Sequence, residues 1–279
     1  MTNCRDTLTV AVLWTLLSSC ASVPPPPPAG TVQVTASTFD GGQCETLQAI
    51  DGLPLSDLRI TTWNVYKGAK AGWQGELADL DAPNSLLLMQ EAMDGTAMLS
   101  GLGADKRWHF SPGYETQSGL SGVATSASVN AVERCTLFHR EPWLRSPKAS
   151  LVTRYRLKNS SETLLVANVH AINFTFGTMA FERQLRDVVS LMRGHTGPMV
   201  VAGDFNTWSK RRQRMLDDVL AELGVQPVEY NAERVKRVFG NQLDHVYYRG
   251  LELRSAEAKP TNSSDHSLLQ ARFDYVLGQ

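Results

Sequence analysis

The chain has 279 residues, enough for one large domain or two small ones. Its 42% hydrophobic and 20% charged residues are the balance of a globular protein with a full core. A net charge of −1 provides no global basic field, which excludes a protein whose main task is to coat nucleic acid but not an enzyme that meets it through a local patch.

The N-terminal segment stands apart from the fold. Residues 7–17 are mostly apolar and uncharged. This stretch is too short to span a bilayer as a helix but suits a signal h-region. Leu17-Ser18-Ser19-Cys20 follows and resembles a bacterial lipoprotein signal, with residues 1–19 removed and Cys20 lipidated. An ordinary signal peptide or an unprocessed tail is the alternative, because Arg5 is offset by Asp6. The resemblance implies diacylation of Cys20, which anchors stably where one chain would be marginal. Ala21 in place of aspartate resembles outer-membrane sorting, so the expected location is the cell envelope, with a secreted or periplasmic protein as the alternative. Pro24 to Pro28 forms a stiff polyproline II spacer, and residues 29–57 read as linker merging into an irregular lead-in with a turn at Asp40-Gly41-Gly42. Cys4 lies in the signal. Cys44 and Cys135 remain, and a disulfide between them or two separate buried thiols both fit.

A domain is expected over residues 58–279. Residues 58–65 (LRITTWNV) are β-branched and aromatic with alternating character, hence a strand ending near Asn64. Residues 71–80 suit a short helix. Residues 85–91 (SLLLMQE) suit a buried strand ending in Glu91, and Asp94 could cap a helix over 95–102. Residues 119–129 are small and polar, a strand with close packing, and 133–138 read as its hairpin partner. Residues 151–157 and 163–170 read as an antiparallel pair, the second ending in His170. In residues 178–193, Phe181, Leu185, Val188, Val189 and Met192 follow helical spacing. Residues 198–208 (PMVVAGDFNTW) hold a short apolar run bounded by Pro198 and Gly203 and followed by Asp204 and Asn206. A second helix covers 209–223 before Gly224. A strand at 243–248 carries Asp244, 251–258 continues antiparallel to it, 262–265 is a loop and 266–276 a final strand. Many strands and few helices imply an α/β or α+β sandwich with mixed sheets.

Asn64, Glu91, His170, Asp204, Asn206, Asp244, Asp265 and His266 each adjoin an apolar run, six runs in all. The motifs TWNV, MQE, NVH, GDFN, LDHV and SDHS, in this order over about residues 58–277, resemble the endonuclease/exonuclease/phosphatase (DNase-I-like) superfamily. That resemblance implies a four-layer sandwich of two mixed β-sheets flanked by helices, with the site at one end. It implies a Mg²⁺-dependent phosphoric-ester hydrolase, with Mn²⁺ as a possible substitute and water attacking phosphorus in line. Glu91 looks like the principal metal carboxylate, with Asn64 beside it and Asp265 contributing; hard oxygen ligands suit Mg²⁺. No Cys/His cluster has zinc spacing. His266 looks like the base, with Asp244 fixing its tautomer. Asp204 positions the water or assists the leaving group, Asn206 donates to phosphoryl oxygens, and His170 binds or protonates the phosphate. His109, His139, His195 and His245 read as structural, and Asn173 fits a substrate contact or a turn.

Two basic clusters flank the expected site: Lys210, Arg211, Arg212 and Arg214, and Arg234, Lys236 and Arg237. Each can meet a phosphate backbone or form a solvated face; Arg145 and Lys148 are similar candidates. The substrate expected is a phosphodiester, with nucleic acid favoured. A sphingomyelinase-like phospholipid phosphodiesterase is the alternative, although the long hydrophobic hairpin of membrane-active sphingomyelinases is missing. A catalytically silent binding lipoprotein is the alternative of another class.

Overall fold

The apolar runs of the chain become strands covered on both faces. The computed structural model describes residues 33–39 (backbone only), 41–94, 98, 106–142 and 147–275, which lie in one compact unit, Thr31–Gln279. The expected signal peptide, Cys20, the expected proline spacer, Arg145 and most of the helix expected over 95–102 lie outside the described residues.

In chain order the elements are β1 (Gln33–Phe39), β2 (Gly42–Leu47), β3 (Leu58–Asn64), α1 (Trp73–Asp79), β4 (Ser85–Met93), β5 (Arg107–Thr116), β6 (Gly119–Ala127), β7 (Glu133–Arg140), β8 (Pro147–Arg156) and β9 (Thr163–His170). Then follow α2 (Met179–Met192), β10 (Met199–Asp204), α3 (Lys210–Ala221), β11 (Gln226–Pro227), β12 (Arg237–Val238), β13 (Asn241–Gln242), β14 (Asp244–Arg249), β15 (Glu252–Lys259) and β16 (Leu268–Asp274). One eight-stranded sheet runs β1-β2-β7-β8-β9-β10-β14-β11, and a six-stranded sheet runs β15-β16-β3-β4-β6-β5. Both are mixed: β9–β10 and β3–β4 are the parallel pairs that set the site.

The residues of β10 show how four layers arise. Met199 and Val201 face α2 and α3, packing with Phe181, Leu185, Val189 and Leu220. Val200 and Ala202 face the second sheet, packing with Ile60, Leu86, Leu88 and Phe273. Trp63, Leu87 and Met89 turn to the far side of that sheet and meet Leu77 of α1. This double burial explains why β4, β9 and β10 read as continuous apolar runs. Each large apolar side chain on α2 contributes at most about 1.5–3 kcal/mol by leaving water.

The sheets differ from the sequence expectation in four places. The lead-in is irregular only over residues 48–57: before it β1 and β2 join the eight-stranded sheet, so the domain starts well before residue 58. β5 was hidden because Pro112 and Gly113 interrupt its pattern, and the strand carries an irregularity there. β7 is not the hairpin partner of β6; it pairs with β2 and β8, while β6 lies between β4 and β5. β15 does not continue beside β14 but pairs with β16 in the other sheet.

Cys44 and Cys135 sit opposite each other on β2 and β7 and are joined by a disulfide that spans 91 residues of sequence. Closing so long a loop restricts the unfolded chain. Replacing both cysteines by alanine is expected to lower the unfolding free energy by about 2–4 kcal/mol, read from the urea midpoint. A midpoint equal to that of the oxidised wild type would show that the bridge contributes nothing.

Candidate active site

Strand register assembles the site. β9 and β10 run parallel with His170 opposite Asp204. β14 runs antiparallel to β10 with Asp244 opposite Asp204. In the second sheet Asn64 lies opposite Gln90 on the parallel pair β3–β4. These polar residues therefore share one end of the sandwich. Below them Gln90 Nε2 donates to Asn168 Oδ1 at 2.7 Å, and Asn168 Nδ2 donates to the Ala124 carbonyl at 3.0 Å, so the two sheets are bonded together under the rim.

Glu91 reaches the rim through a bulge. The β4–β6 register shifts between Gln90 and Ala92, and Glu91 has φ +53°. A bulge re-aims one side chain without ending the strand. His266 comes from the loop before β16. Ser264 Oγ donates to the Asn64 carbonyl at 2.6 Å and accepts from the His266 amide at 3.1 Å, which docks that loop on β3.

Asp204 is the centre of the cluster and is 2% exposed. Its Oδ1 accepts from the Asn206 amide at 3.0 Å and its Oδ2 from Asn64 Nδ2 at 3.0 Å. Oδ2 lies 3.6 Å from His170 Nε2 and 3.8 Å from His266 Nε2. His266 Nδ1 donates to the Asp244 carboxylate, at 2.8 Å to Oδ2 and 3.0 Å to Oδ1, so its Nε2 faces Asp204. Burial works against the imidazolium, but the charges of Asp244 and then Asp204 outweigh it and raise its pKa to about 10. Burial pushes Asp244 up to about 6, with His266 pulling it back. The two titrate as one pair, an imidazolium held by a carboxylate at neutral pH.

His170 takes a different state from the one expected for a phosphate donor. Burial, reinforced by Lys148, holds its pKa well below the ordinary histidine value. The Lys148 ammonium donates to its Nε2 at 2.9 Å, so the neutral ring carries its proton on Nδ1. The donor presented at this corner is Lys148 itself. Lys67 was also invisible in the sequence: its ammonium is bonded to Glu91 Oε2. Burial opposes that charge, yet the Glu91 carboxylate raises its pKa. Glu91 Oε1 lies 4.0 Å from His170 Nε2.

Other expected residues land differently. Asp265 is exposed on its loop, and the tight acidic and imidazole cluster among the described residues is Asp204, Asp244 and His266, without it. Arg212 is no phosphate contact. It is 1% exposed, donates to the Ile172 carbonyl, and stacks over Phe181 with its guanidinium carbon 4.0 Å from the ring centroid. Burial lowers its pKa to about 10. The helical period that turns Leu216 and Val219 inward turns Arg212 inward too. Lys210 and Arg211 are exposed. Asn173 accepts from Trp208 Nε1 at 3.1 Å. His109 and His245 are buried and held down to about 4 by burial, His139 pairs with Asp187 at 2.8 Å, and His195 contacts Arg154.

Two concavities adjoin the cluster. On the Asn206 side a cleft of about 350 Å³ is walled by Phe174, Trp208, Phe239, Leu243 and Asn173. On the His266 side a groove of about 410 Å³ carries Lys70, Arg234, Lys236 and Arg237, against the two carboxylates Glu233 and Asp265. The donors present fit a hard divalent cation: the Glu91 carboxylate, the Asn64 amide oxygen, which accepts from the Tyr66 amide, and Asp204 are all oxygen ligands. Lys67 supplies positive charge at that acidic position.

The chain is 40% identical over 226 residues to a UPF0294 protein of Vibrio cholerae, covering 78% of each. It is 36% identical over 234 residues to a UPF0294 protein of Yersinia pseudotuberculosis, covering 80% of this chain and 88% of that one. The fold is similar to the human Nocturnin catalytic domain, whose structure holds a bound sulfate anion (18% identity, TM-score 0.59, 82% of this chain and 97% of that one). It is also similar to SmcL (15% identity, TM-score 0.56, 78% and 99%). With residues 61–266 matching its family description, the chain belongs to the Endonuclease/Exonuclease/phosphatase family.

Proposed function

We propose that the protein is a Mg²⁺-dependent phosphodiesterase whose favoured substrate is nucleic acid, cleaved by in-line attack of water on phosphorus. Family membership supports phosphoric-ester hydrolysis at the coarser level. The observation that carries the finer reading is the convergence of the Asp244–His266 pair, Asp204 and the Glu91–Asn64 donors at one rim. Glu91 and Asn64 would hold the cation, which would supply charge stabilisation on the phosphoryl oxygens, and whose positive charge would disfavour the imidazolium form of His266. His266 Nε2 then takes the water proton, and Asp244 stabilises the imidazolium through Nδ1. Asp204, fixed on both oxygens by Asn64 and Asn206, stands beside that proton path. Asn206 Nδ2 spends one hydrogen on the Ala171 carbonyl at 3.0 Å and has the second for a phosphoryl oxygen. Lys148 adds a charged donor.

Nucleic acid is favoured by the pairing of a basic groove with an aromatic cleft, the combination that tracks a phosphate backbone and stacks an unpaired base. One observation favours a phospholipid as second reading: Phe174, Phe176, Met179 and Phe239 are exposed, from 54% to 86%. The Cys44–Cys135 disulfide supports an oxidising compartment and with it the envelope location of this proposal; the Cys20 anchor rests on the signal-like sequence before it.

The test is a panel of DNA, RNA, a phosphodiester dye and sphingomyelin, each with Mg²⁺ and with EDTA. Hydrolysis of nucleic acid that EDTA abolishes is the expected result. Activity undiminished by chelation would remove the metal, and turnover of sphingomyelin alone would favour the second reading. No turnover on any substrate would point to a silent binding protein, against the retention of Glu91, Asp204 and His266.

A further inference from the structure

We infer that Lys67 is a tethered counter-cation for Glu91: it competes with the divalent cation for that carboxylate and, once displaced, turns its ammonium to the substrate phosphate. The inference rests on the metal reading above. Lys67 Nζ donates to Glu91 Oε2, with the two side chains 32% and 15% exposed. The ammonium also lies 5.7 Å from the Tyr66 ring centroid and 5.8 Å from that of Tyr114, within cation–π range of both.

Both partners of this pair sit on backbone in the left-handed region. Tyr66, Lys67 and Glu91 have φ of +51°, +57° and +53°. Left-handed non-glycine residues are uncommon and persist where surrounding structure holds them. Here the Tyr66 amide is tied to Asn64 Oδ1 at 3.0 Å and Glu91 sits in a bulge. A solvated surface ion pair needs no such arrangement.

A hard cation binds a carboxylate oxygen at about 2.0–2.1 Å. On Glu91 it would bring two positive charges beside the Lys67 ammonium, and their repulsion couples cation binding to lysine release. The exchange leaves Glu91 neutralised in both states. The flexible lysine stem lets the freed ammonium swing, and Glu91 Oε1 lies only 4.0 Å from His170 Nε2, so the phosphate corner formed with Lys148 is close by.

The experiment is Mn²⁺ binding to the full chain without substrate, by electron paramagnetic resonance and calorimetry. Lys67→Met is expected to bind Mn²⁺ on the order of tenfold more tightly than wild type, while Lys67→Arg stays near wild type and Glu91→Gln loses the site. With a phosphodiester substrate, Lys67→Met is expected to raise KM. Damage to the fold would not tighten metal binding, and Lys67→Gln gives the same readout where the methionine variant does not fold. Unchanged or weaker Mn²⁺ affinity in Lys67→Met or Lys67→Gln, with Glu91→Gln still abolishing it, overturns the inference alone. Wild-type affinity in Glu91→Gln overturns the metal reading beneath it.

Discussion

Replacing His266 by alanine is expected to lower kcat on the order of 10²–10⁴-fold, the loss typical of a general base. His266 is positioned rather than merely present. Its Nδ1 is bonded to Asp244, its Nε2 faces Asp204 Oδ2 at 3.8 Å, and its loop is pinned to β3 through Ser264. Asp244→Asn should fall in the same range, because an amide no longer holds the imidazolium by charge. The two losses should not add, since both remove one proton-transfer unit. Single-turnover rates with Mg²⁺, alongside circular dichroism to establish folding, provide the check. Near-full activity in a folded His266→Ala protein would take His266 out of this role.

Gly203→Ala is expected to destabilise the fold by roughly 3 kcal/mol or more, among the larger effects of single substitutions. A Cβ built at Gly203 would lie 1.9 Å from the Val169 carbonyl oxygen, and the residue has φ +147°. Neither atom can yield, because β9 and β10 pair in register on both sides of the contact. Asp204 follows directly, so the variant should also misplace the central carboxylate. Gly75 is the control: nothing lies within 4 Å of its added Cβ, and it stands inside α1. Gly75→Ala should be neutral or stabilising by up to about 1 kcal/mol. Urea midpoints of the two variants measure the contrast; equal midpoints would sink the packing argument.

Some of the site was legible because strand ends are local. An apolar run followed by Asp204 and Asn206, or ended by His170, shows both where a strand stops and which chemistry it delivers. Gly203 was legible as a bound on that run, whereas the carbonyl that forbids any side chain there was not. The disulfide was half legible. The sequence limited the pair to Cys44 and Cys135, but only the β2–β7 register placed them opposite each other.

Sheet membership was harder to read. β6 and β7 are neighbours along the chain, yet they belong to different sheets, and the same holds for β14 and β15. Neighbouring strands often pair, and nothing in their own residues opposed that here. β7 is claimed by β2, far away in sequence, whereas β6 and β15 each pair with the chain neighbour on their other side, β5 and β16.

By itself the sequence determined the fold class, the alternation that buries both faces of β10, and the set of polar residues delivered at strand ends. These follow from backbone periodicity and residue chemistry, which act over a few positions. Tertiary structure alone decided the roles of the basic side chains. Arg212 was drawn inward to Phe181, Lys148 was set on His170, and Lys67 on Glu91. A long cationic side chain has no fixed partner along the chain; its partner is the charge or π-face that folding brings within reach.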